Sequence, residues 1–200
     1  MKTILMIGAL LLAPAMEPTL SQADRDKAVA ELEGSERAFL DATRGLSEAQ
    51  WNFKAAPDRW SVAECAEHIG VTEEIAFKAI VEKALKTPAE PQKRELVKIQ
   101  DDQIVPMALD RSQKFKAPEA IQPTHRWTTP AEITRKVLEN RAITLAFVNT
   151  TNQDLRNHFW DHPFLKTLDT YQWMILISAH MRRHTAQILE VKADPNFPRQ

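Results

Sequence analysis

The chain has 200 residues, with 26 basic and 27 acidic side chains and a formal net charge of −1. This length fits a single domain that buries its core without disulfide or metal staples. A charge so close to zero argues against a nucleic-acid binder that works by neutralising phosphates. Glycine occurs only 4 times, no Gly-rich phosphate loop is present, and a single cysteine excludes an intramolecular disulfide and a CxxC motif. Composition therefore favours a helical domain, and its function must depend on a few side chains at specific positions.

Residues 1–23 are predicted to be a signal peptide. Lys2 provides a positive start, residues 3–12 form an apolar run, and Pro14 ends it. The run is about half the ~20 residues that a bilayer span requires, so we expect no stable membrane span. Small residues before the predicted cleavage point after Ala23 fit the signal-peptidase pattern. The mature domain would then be residues 24–200, exported to the periplasm or secreted.

Two alternatives to this cleavage remain open. A poorer cleavage site ends at Ala15, and initiation at Met16 would give a cytoplasmic protein without a signal peptide. The true start and the localisation are therefore expectations that depend on the N-terminus.

The first half of the domain is predicted to contain two long helices. Residues 24–44 show helical periodicity, and Gly45 follows them as glycine commonly follows a helix C-terminus. A loop through residue 60 comes next. The sequence Ser61-Val62-Ala63-Glu64 predicts a capping box that starts a second helix, which runs to about Lys86.

The middle of the chain is predicted to be a crossover, residues 87–129, which is too long for a tight turn. Residues 94–112 are predicted as a shorter helix, in which Pro106 implies a kink or a break. The loop at 113–128 completes the crossover.

The second half is predicted to contain two more long helices. Thr129-Pro130-Ala131-Glu132 predicts a second capping box and a helix to about Asn149, and residues 150–166 are predicted as a loop. The last helix runs from about Leu168 to Lys192. Four long amphipathic helices and a short one predict an all-α four-helix bundle.

The last helix contains the most informative pair of residues. His180 and His184 lie one turn apart, on a face where the apolar pattern would place Leu or Ile. Burying two imidazoles side by side is costly unless each finds a partner, and a divalent metal satisfies both. The glutamate of the HExxH motif of zinc proteases is absent because Met181 follows His180. The alternative, two histidines that are partly exposed or hydrogen-bonded, stays open from this pair alone.

A third ligand is expected from the second helix. His68 lies beside its apolar stripe, and three histidines from two facing helices would leave a coordination position open, as in catalytic zinc sites. Glu64, one turn before His68, is a weak candidate for a general base, and no other catalytic residue can be named. His68 could equally be a flanking histidine that bonds Glu64 or water.

Other polar residues are weaker candidates. His158 and His162, with Asp161 between them, could form a second site or a merely polar loop. Gln187 is placed for a hydrogen bond to His184, and Cys65 is expected to be a small buried core residue. Two further interpretations concern His125, expected at the surface, and Arg183, which could contact an anionic substrate. The five tryptophans are expected to be packing anchors, with one or two of them lining a pocket.

Two segments in this order resemble motifs of the DinB-like/YfiT-like superfamily of metal-binding four-helix bundles. Residues 60–69, WSVAECAEHI, are similar to its W-S-x-x-E-x-x-x-H-[LI] motif, and residues 180–188, HMRRHTAQI, to its H-x-x-R-H-x-x-Q-I element. Residues 161–164, DHPF, also resemble the segment that precedes the last helix in the family. The similarity covers roughly residues 25–192.

The resemblance implies an up-down-down-up bundle with a long crossover between its second and third helices. It implies that His68, His180 and His184 hold a divalent metal, commonly zinc or nickel. Relatives include thiol-dependent transferases and isomerases as well as members without known activity. Low-molecular-weight thiols are mainly cytosolic, so the predicted export argues against thiol-transferase chemistry.

Two functional hypotheses follow. The first is a metal-dependent hydrolase or thiol-dependent transferase, in which the metal activates a bound water or thiol against a small-molecule substrate. The second is a stress protein that binds a metal or small ligand without turnover. Helical bundles of this kind often form homodimers, but the sequence contains no interface signal.

Overall fold

The computed structural model describes residues 20–112 and 116–199. Residues 1–19, most of the predicted signal peptide, lie outside the described residues. Six α-helices are present in the described ranges: α1 Gln22–Thr43, α2 Glu48–Asn52, α3 Val62–Glu82, α4 Ile104–Leu109, α5 Pro130–Thr150 and α6 Thr170–Lys192. Two strands, β1 Phe159–His162 and β2 Lys166–Asp169, pair antiparallel. Short 3-10 helices cover Ala84–Lys86, Pro91–Leu96 and Glu119–Ile121.

The start of α1 bears on the predicted cleavage point. Ser21 caps the helix by accepting the N–H of Asp24 at 3.0 Å, and the side chain of Leu20 is buried in the core. Cleavage after Ala23 would remove both residues, whereas cleavage after Ala15 would keep them.

The capping box that the sequence predicts at the start of α3 is confirmed. The Ser61 hydroxyl accepts the N–H of Glu64 at 3.1 Å, and the Glu64 carboxylate accepts the N–H of Ser61 at 2.8 Å. These two bonds satisfy backbone donors that have no partner within the helix.

The second predicted capping box, at the start of α5, is only half present. Thr129 Oγ1 accepts the N–H of Glu132 at 3.2 Å as expected. The Glu132 carboxylate, however, accepts the N–H of Thr128 at 3.1 Å and not that of Thr129. The Glu132 carboxylate therefore bonds the residue before the N-cap and attaches the end of the crossover to α5.

Helices α1 and α6 pack against each other in parallel. Near their N-termini, the Tyr171 hydroxyl donates to the carbonyl of Asp24 at 3.0 Å. Near their C-termini, Lys192 Nζ donates to the carbonyl of Ala42 at 2.6 Å. The N-terminal ends of the two helices therefore lie together, as do their C-terminal ends, so the helices are parallel.

Helices α3 and α5 also pack in parallel. Asn140 donates to the carbonyl of Gly70 at 2.8 Å, and further along both helices the rings of Phe77 and Phe147 lie 5.4 Å apart. A Cβ added at Gly70 would lie 3.0 Å from the Trp127 ring and 3.2 Å from Val137 Cγ2 on α5, so the absence of a side chain at Gly70 allows close packing here.

Helix α5 runs antiparallel to α1. Arg141, in the middle of α5, donates to the carbonyl of Leu32, and Arg25 near the start of α1 donates to the carbonyl of Val148 near the end of α5. Because α6 also packs on α3, the four long helices form a closed ring of neighbours. The predicted all-α, up-down-down-up four-helix bundle is confirmed, with α1 and α6 pointing one way and α3 and α5 the other.

A buried ion pair joins three of these helices. Arg141 is 0% exposed and donates to both carboxylate oxygens of Glu73, each at 2.9 Å. The same guanidinium donates to Ser35 Oγ at 2.6 Å, and Thr144 Oγ1 donates to Glu73 at 2.9 Å. Every charge in this cluster has a partner, as burial requires.

The crossover differs from the sequence prediction. The helix expected over residues 94–112 is limited to Ile104–Leu109, which packs on α6. Pro106 is its third residue, where the missing N–H would have no partner within the helix, so the first turn of this short helix tolerates the proline.

A short helix and a hairpin were not predicted. The short helix α2 begins at a capping box formed by Ser47 and Gln50. The β1–β2 hairpin occupies part of the expected loop and also Leu168 and Asp169, where the last helix was expected to start, so that helix begins at Thr170. Among the described helices, none is both long enough and apolar enough to cross a lipid bilayer.

Candidate metal centre

Three histidines meet where α3 and α6 pack against each other. His68 lies in the second turn of α3, and His180 and His184 lie one turn apart in the middle of α6. We refer to these three residues as the histidine triad. In the described part of the chain, they form the one group of three or more His, Cys, Asp or Glu side chains that could hold a metal ion.

The distance between two ring nitrogens of the histidine triad matches that of a metal site. One ring nitrogen from each histidine lies within 4.8 Å of the other two. The Nε2 atoms of His68 and His180 are 3.1 Å apart. Bonds of 2.0–2.1 Å to a tetrahedral zinc place two ligand nitrogens about 3.3 Å apart. The separation of the His68 and His180 nitrogens therefore fits a small divalent cation between the helices, and the His184 ligand atom lies within 4.8 Å of both.

Hydrogen bonds on the far side of two rings determine which nitrogen is available. His68 Nδ1 lies 2.7 Å from the carbonyl oxygen of Ile121, and His184 Nδ1 lies 3.0 Å from Gln187 Oε1. Both oxygens are acceptors, so each Nδ1 carries the proton and each Nε2 keeps its lone pair. Metal-binding histidines typically have such a partner on the second nitrogen. The bond expected between Gln187 and His184 is present.

Burial keeps the imidazoles neutral. His68 is 2% exposed and His184 is 9% exposed, while His180 is half-buried. Burial lowers the pKa of His68, although the bond to Ile121 opposes this shift. The pKa values of His180 and His184 lie well below the ordinary value because of burial first, then because protonating neighbouring histidines would place positive charges together. Neutral imidazole is the form that binds metals.

Trp60 covers one side of the histidine triad. Its ring centroid lies 4.8 Å from that of His68 and 5.9 Å from that of His184. The indole therefore separates this side of the histidines from water. The sequence indicated packing for this tryptophan, and its position immediately before the Ser61 capping box was the signal that could have placed it beside His68.

Glu64, the weak candidate for a general base, has both carboxylate oxygens engaged. One oxygen accepts a hydrogen bond from the N–H of Ser61, and the other accepts one from Lys54 Nζ at 2.9 Å. The carboxylate therefore stabilises the start of α3.

The remaining candidate residues do not join the histidine triad. His158 Nδ1 contacts the carbonyl of Ala84 at 3.2 Å, and His162 Nδ1 accepts the N–H of Leu165 at 3.1 Å within the hairpin. Burial lowers the pKa of His162 to about 4. The segment around these two histidines thus does not form the second metal site that was one interpretation of the sequence.

Three further expectations concern single residues. The side chain of His125 is 74% exposed, and Cys65 is a free, buried thiol whose pKa is raised by burial, as expected for a core residue. Arg183 donates to the carbonyls of Ala108 and Asp110 at 2.8 and 2.6 Å, so it fastens the end of α4 to α6.

Comparisons with known proteins agree with this architecture. In Bacillus subtilis (strain 168), the uncharacterized protein YuaE is 26% identical over 150 residues, which is 74% of this chain and 87% of YuaE. The solved structure described as "YfiT from Bacillus subtilis is a probable metal-dependent hydrolase with an unusual four-helix bundle topology" matches with a TM-score of 0.55 at 15% identity. That match covers 90% of this chain and 91% of YfiT. A sequence model of the DinB superfamily matches residues 31–188, which include all three histidines of the triad. The chain therefore belongs to the DinB superfamily.

Proposed function

We propose that this protein is a metal-dependent hydrolase of small molecules, and that the histidine triad holds its divalent metal. The observation that supports the proposal is the convergence of three imidazoles, with the Nε2 atoms of His68 and His180 at 3.1 Å and all three ligand atoms within 4.8 Å. Zinc and nickel are the proposed ions because both accept imidazole ligands.

The number of ligands favours catalysis over a purely structural site. Structural zinc sites have four protein ligands, whereas catalytic ones have three and an open position. Within the described ranges, no fourth His, Cys, Asp or Glu belongs to the group. A divalent metal held in this way would lower the pKa of a coordinated water toward neutrality and so supply a nucleophile.

The residues around the histidine triad have separate roles in this proposal. Ile121 and Gln187 hold two of the rings in the orientation that presents Nε2. Trp60 excludes water from one side of the rings. The description of YfiT as a probable metal-dependent hydrolase supports the same class of reaction.

The proposal is tested by reconstitution. Protein stripped with a chelator is reloaded with one equivalent of zinc or nickel and assayed against carboxylic esters, phosphoesters and amides, each with and without added thiol. We expect hydrolysis that requires metal, is lost in His180→Ala and is retained in His158→Ala, which removes a histidine outside the triad. Turnover that requires thiol would indicate a thiol-dependent transferase and not a hydrolase. Metal binding without turnover on any substrate would favour the non-catalytic alternative.

We also propose that the protein is exported, on the basis of the signal-peptide pattern of residues 1–23. The intact mass of the protein from each cell fraction tests this. A truncated mass in the exported fraction supports export and gives the cleavage point, while a full-length cytoplasmic protein contradicts it.

A further inference from the structure

We propose that Glu67 is a positioning residue for the metal centre. It holds residues 121–126, here named the clamp segment, against α3, so that the Ile121 carbonyl orients the ring of His68. The predicted effect on metal affinity rests on the proposed function, but the predicted effect on the His68 ring does not.

The Glu67 carboxylate is buried and surrounded by donors from the clamp segment. The residue is 1% exposed. Its Oε1 accepts the N–H of Thr124 at 2.8 Å, and its Oε2 accepts the N–H of His125 at 3.0 Å. Arg126 Nε donates to Oε1 at 3.3 Å. A buried carboxylate with these charge-assisted bonds is a strong attachment point.

The backbone of the clamp segment is shaped to meet this carboxylate. His125 has a φ of 57°, in the left-handed region that non-glycine residues seldom adopt. This conformation turns consecutive N–H groups toward one anion, which is the geometry of a backbone anion-binding nest. The Glu67 charge therefore compensates for an unfavourable backbone conformation at His125.

The clamp segment reaches the metal centre through Ile121. This residue lies three positions before Thr124, and its carbonyl accepts the Nδ1 proton of His68 at 2.7 Å. The other polar contact of Nδ1 is Thr72 Oγ1, at the long distance of 3.5 Å. If the segment moves away, Nδ1 loses its strong acceptor, and the neutral ring no longer prefers to protonate Nδ1 and leave Nε2 free.

Glu73 offers a matched control on the same helix. It is also buried, and its carboxylate pairs with Arg141, away from the clamp segment. In either Glu→Gln variant, an amide NH₂ group replaces an oxygen that accepted from a donor. Both variants therefore lose stability, but only the change at Glu67 alters the surroundings of the His68 ring.

The experiment compares wild type with Glu67→Gln, Glu73→Gln and Arg126→Ala. The His68 tautomer is measured by ¹⁵N NMR of metal-free protein, and zinc affinity is measured by competition with a chromophoric chelator. We expect the Nδ1–H tautomer in wild type and Glu73→Gln, and a mixture of tautomers in Glu67→Gln. Zinc affinity should fall by up to about 10- to 100-fold in Glu67→Gln, the loss expected when a metal ligand loses its hydrogen-bond partner, and remain within about twofold in Glu73→Gln.

Several outcomes would overturn the proposal. One is a folded Glu67→Gln protein with the wild-type tautomer and affinity, and another is an equal loss of affinity in Glu73→Gln. If Glu67→Gln does not fold, Arg126→Ala takes its place in the comparison. A partial shift to mixed His68 tautomers with a smaller loss of zinc affinity supports the proposal, and the wild-type tautomer and affinity overturn it. If wild type binds no zinc, the proposed function fails, while the tautomers of the metal-free proteins still test the role of Glu67.

Discussion

Replacing Arg141 with methionine should destabilise the bundle severely. The arginine is fully buried and donates to Glu73, Ser35 and Leu32, so it connects α5 with α3 and α1. Methionine keeps much of the side-chain volume but leaves the Thr144 hydroxyl as the remaining donor to the buried Glu73 carboxylate among the described residues.

The magnitude follows from the unpaired charge. Breaking one side of a buried ion pair costs about 3–5 kcal/mol, and a domain has a total stability of about 5–15 kcal/mol. The variant should therefore lose a large part of its free energy of unfolding. Replacing both partners, as in Arg141→Met with Glu73→Leu, should recover part of the loss because no buried charge is then left alone.

The assay is urea denaturation followed by circular dichroism, with the free energy of unfolding extrapolated to water. Arg135→Met is the matched control, since Arg135 lies on the same helix and forms an exposed pair with Glu139 at 2.6 Å. Exposed pairs contribute about 0–1 kcal/mol, so this control should change little. A loss below about 1 kcal/mol in Arg141→Met, or a loss equal to that in the control, would refute the reasoning.

Three further predictions concern the metal centre and its surroundings. Gly70→Ala should lower the urea midpoint, because the new Cβ would lie 3.0 Å from the Trp127 ring and 3.2 Å from Val137 Cγ2. The overpacking cost of about 1–3 kcal/mol should exceed the gain of about 1 kcal/mol in helix propensity, and an unchanged or higher midpoint would contradict this. Nickel bound at the histidine triad should quench tryptophan fluorescence mainly through Trp60, because its ring lies 4.8 Å from that of His68. Trp60→Phe should therefore remove most of the quenching. Undiminished quenching in that variant would place the metal elsewhere. Metal-free protein should lose stability as pH falls below about 6.5, because the unfolded chain binds protons at ordinary histidine pKa values while the histidine triad, with its lowered pKa values, does not. The triple alanine variant of the triad should show a weaker dependence between pH 7 and 5, and an equal slope in both proteins would contradict this assignment.

The bundle could be predicted because its helices carry their own signals. The Ser61 capping box and the apolar periodicity of α3 and α6 depend on neighbours in sequence, so the helix starts and the inward faces were visible in advance. His180 and His184 followed from the same periodicity, since they occupy inward positions one turn apart.

Other features depend on the tertiary path of the crossover and could not be read from local patterns. The acceptor for His68 is a backbone carbonyl, at Ile121, and any residue type supplies a carbonyl. The attachment of Glu67 to Thr124 likewise joins residues 57 positions apart. The sequence analysis did not single out Glu67, because no local pattern indicates which distant segment a glutamate holds.

The hairpin was missed for a related reason. Its turn lacks the Asn-Gly or Asp-Gly signal of a short hairpin. Instead, His162 Nδ1 accepts the N–H groups of Phe164 and Leu165, and Lys166 has a φ of 62°. A side-chain acceptor thus replaces the usual turn residues.

The central claim, that the histidine triad holds a metal, is tested most directly by X-ray absorption spectroscopy of protein loaded with one equivalent of zinc. We predict a first shell of nitrogen and oxygen at about 2.0–2.1 Å, with outer-shell scattering from three imidazoles that is reduced in His180→Ala. A sulfur scatterer at about 2.3 Å, which only Cys65 or a methionine could supply, or the absence of imidazole scattering, would contradict the account.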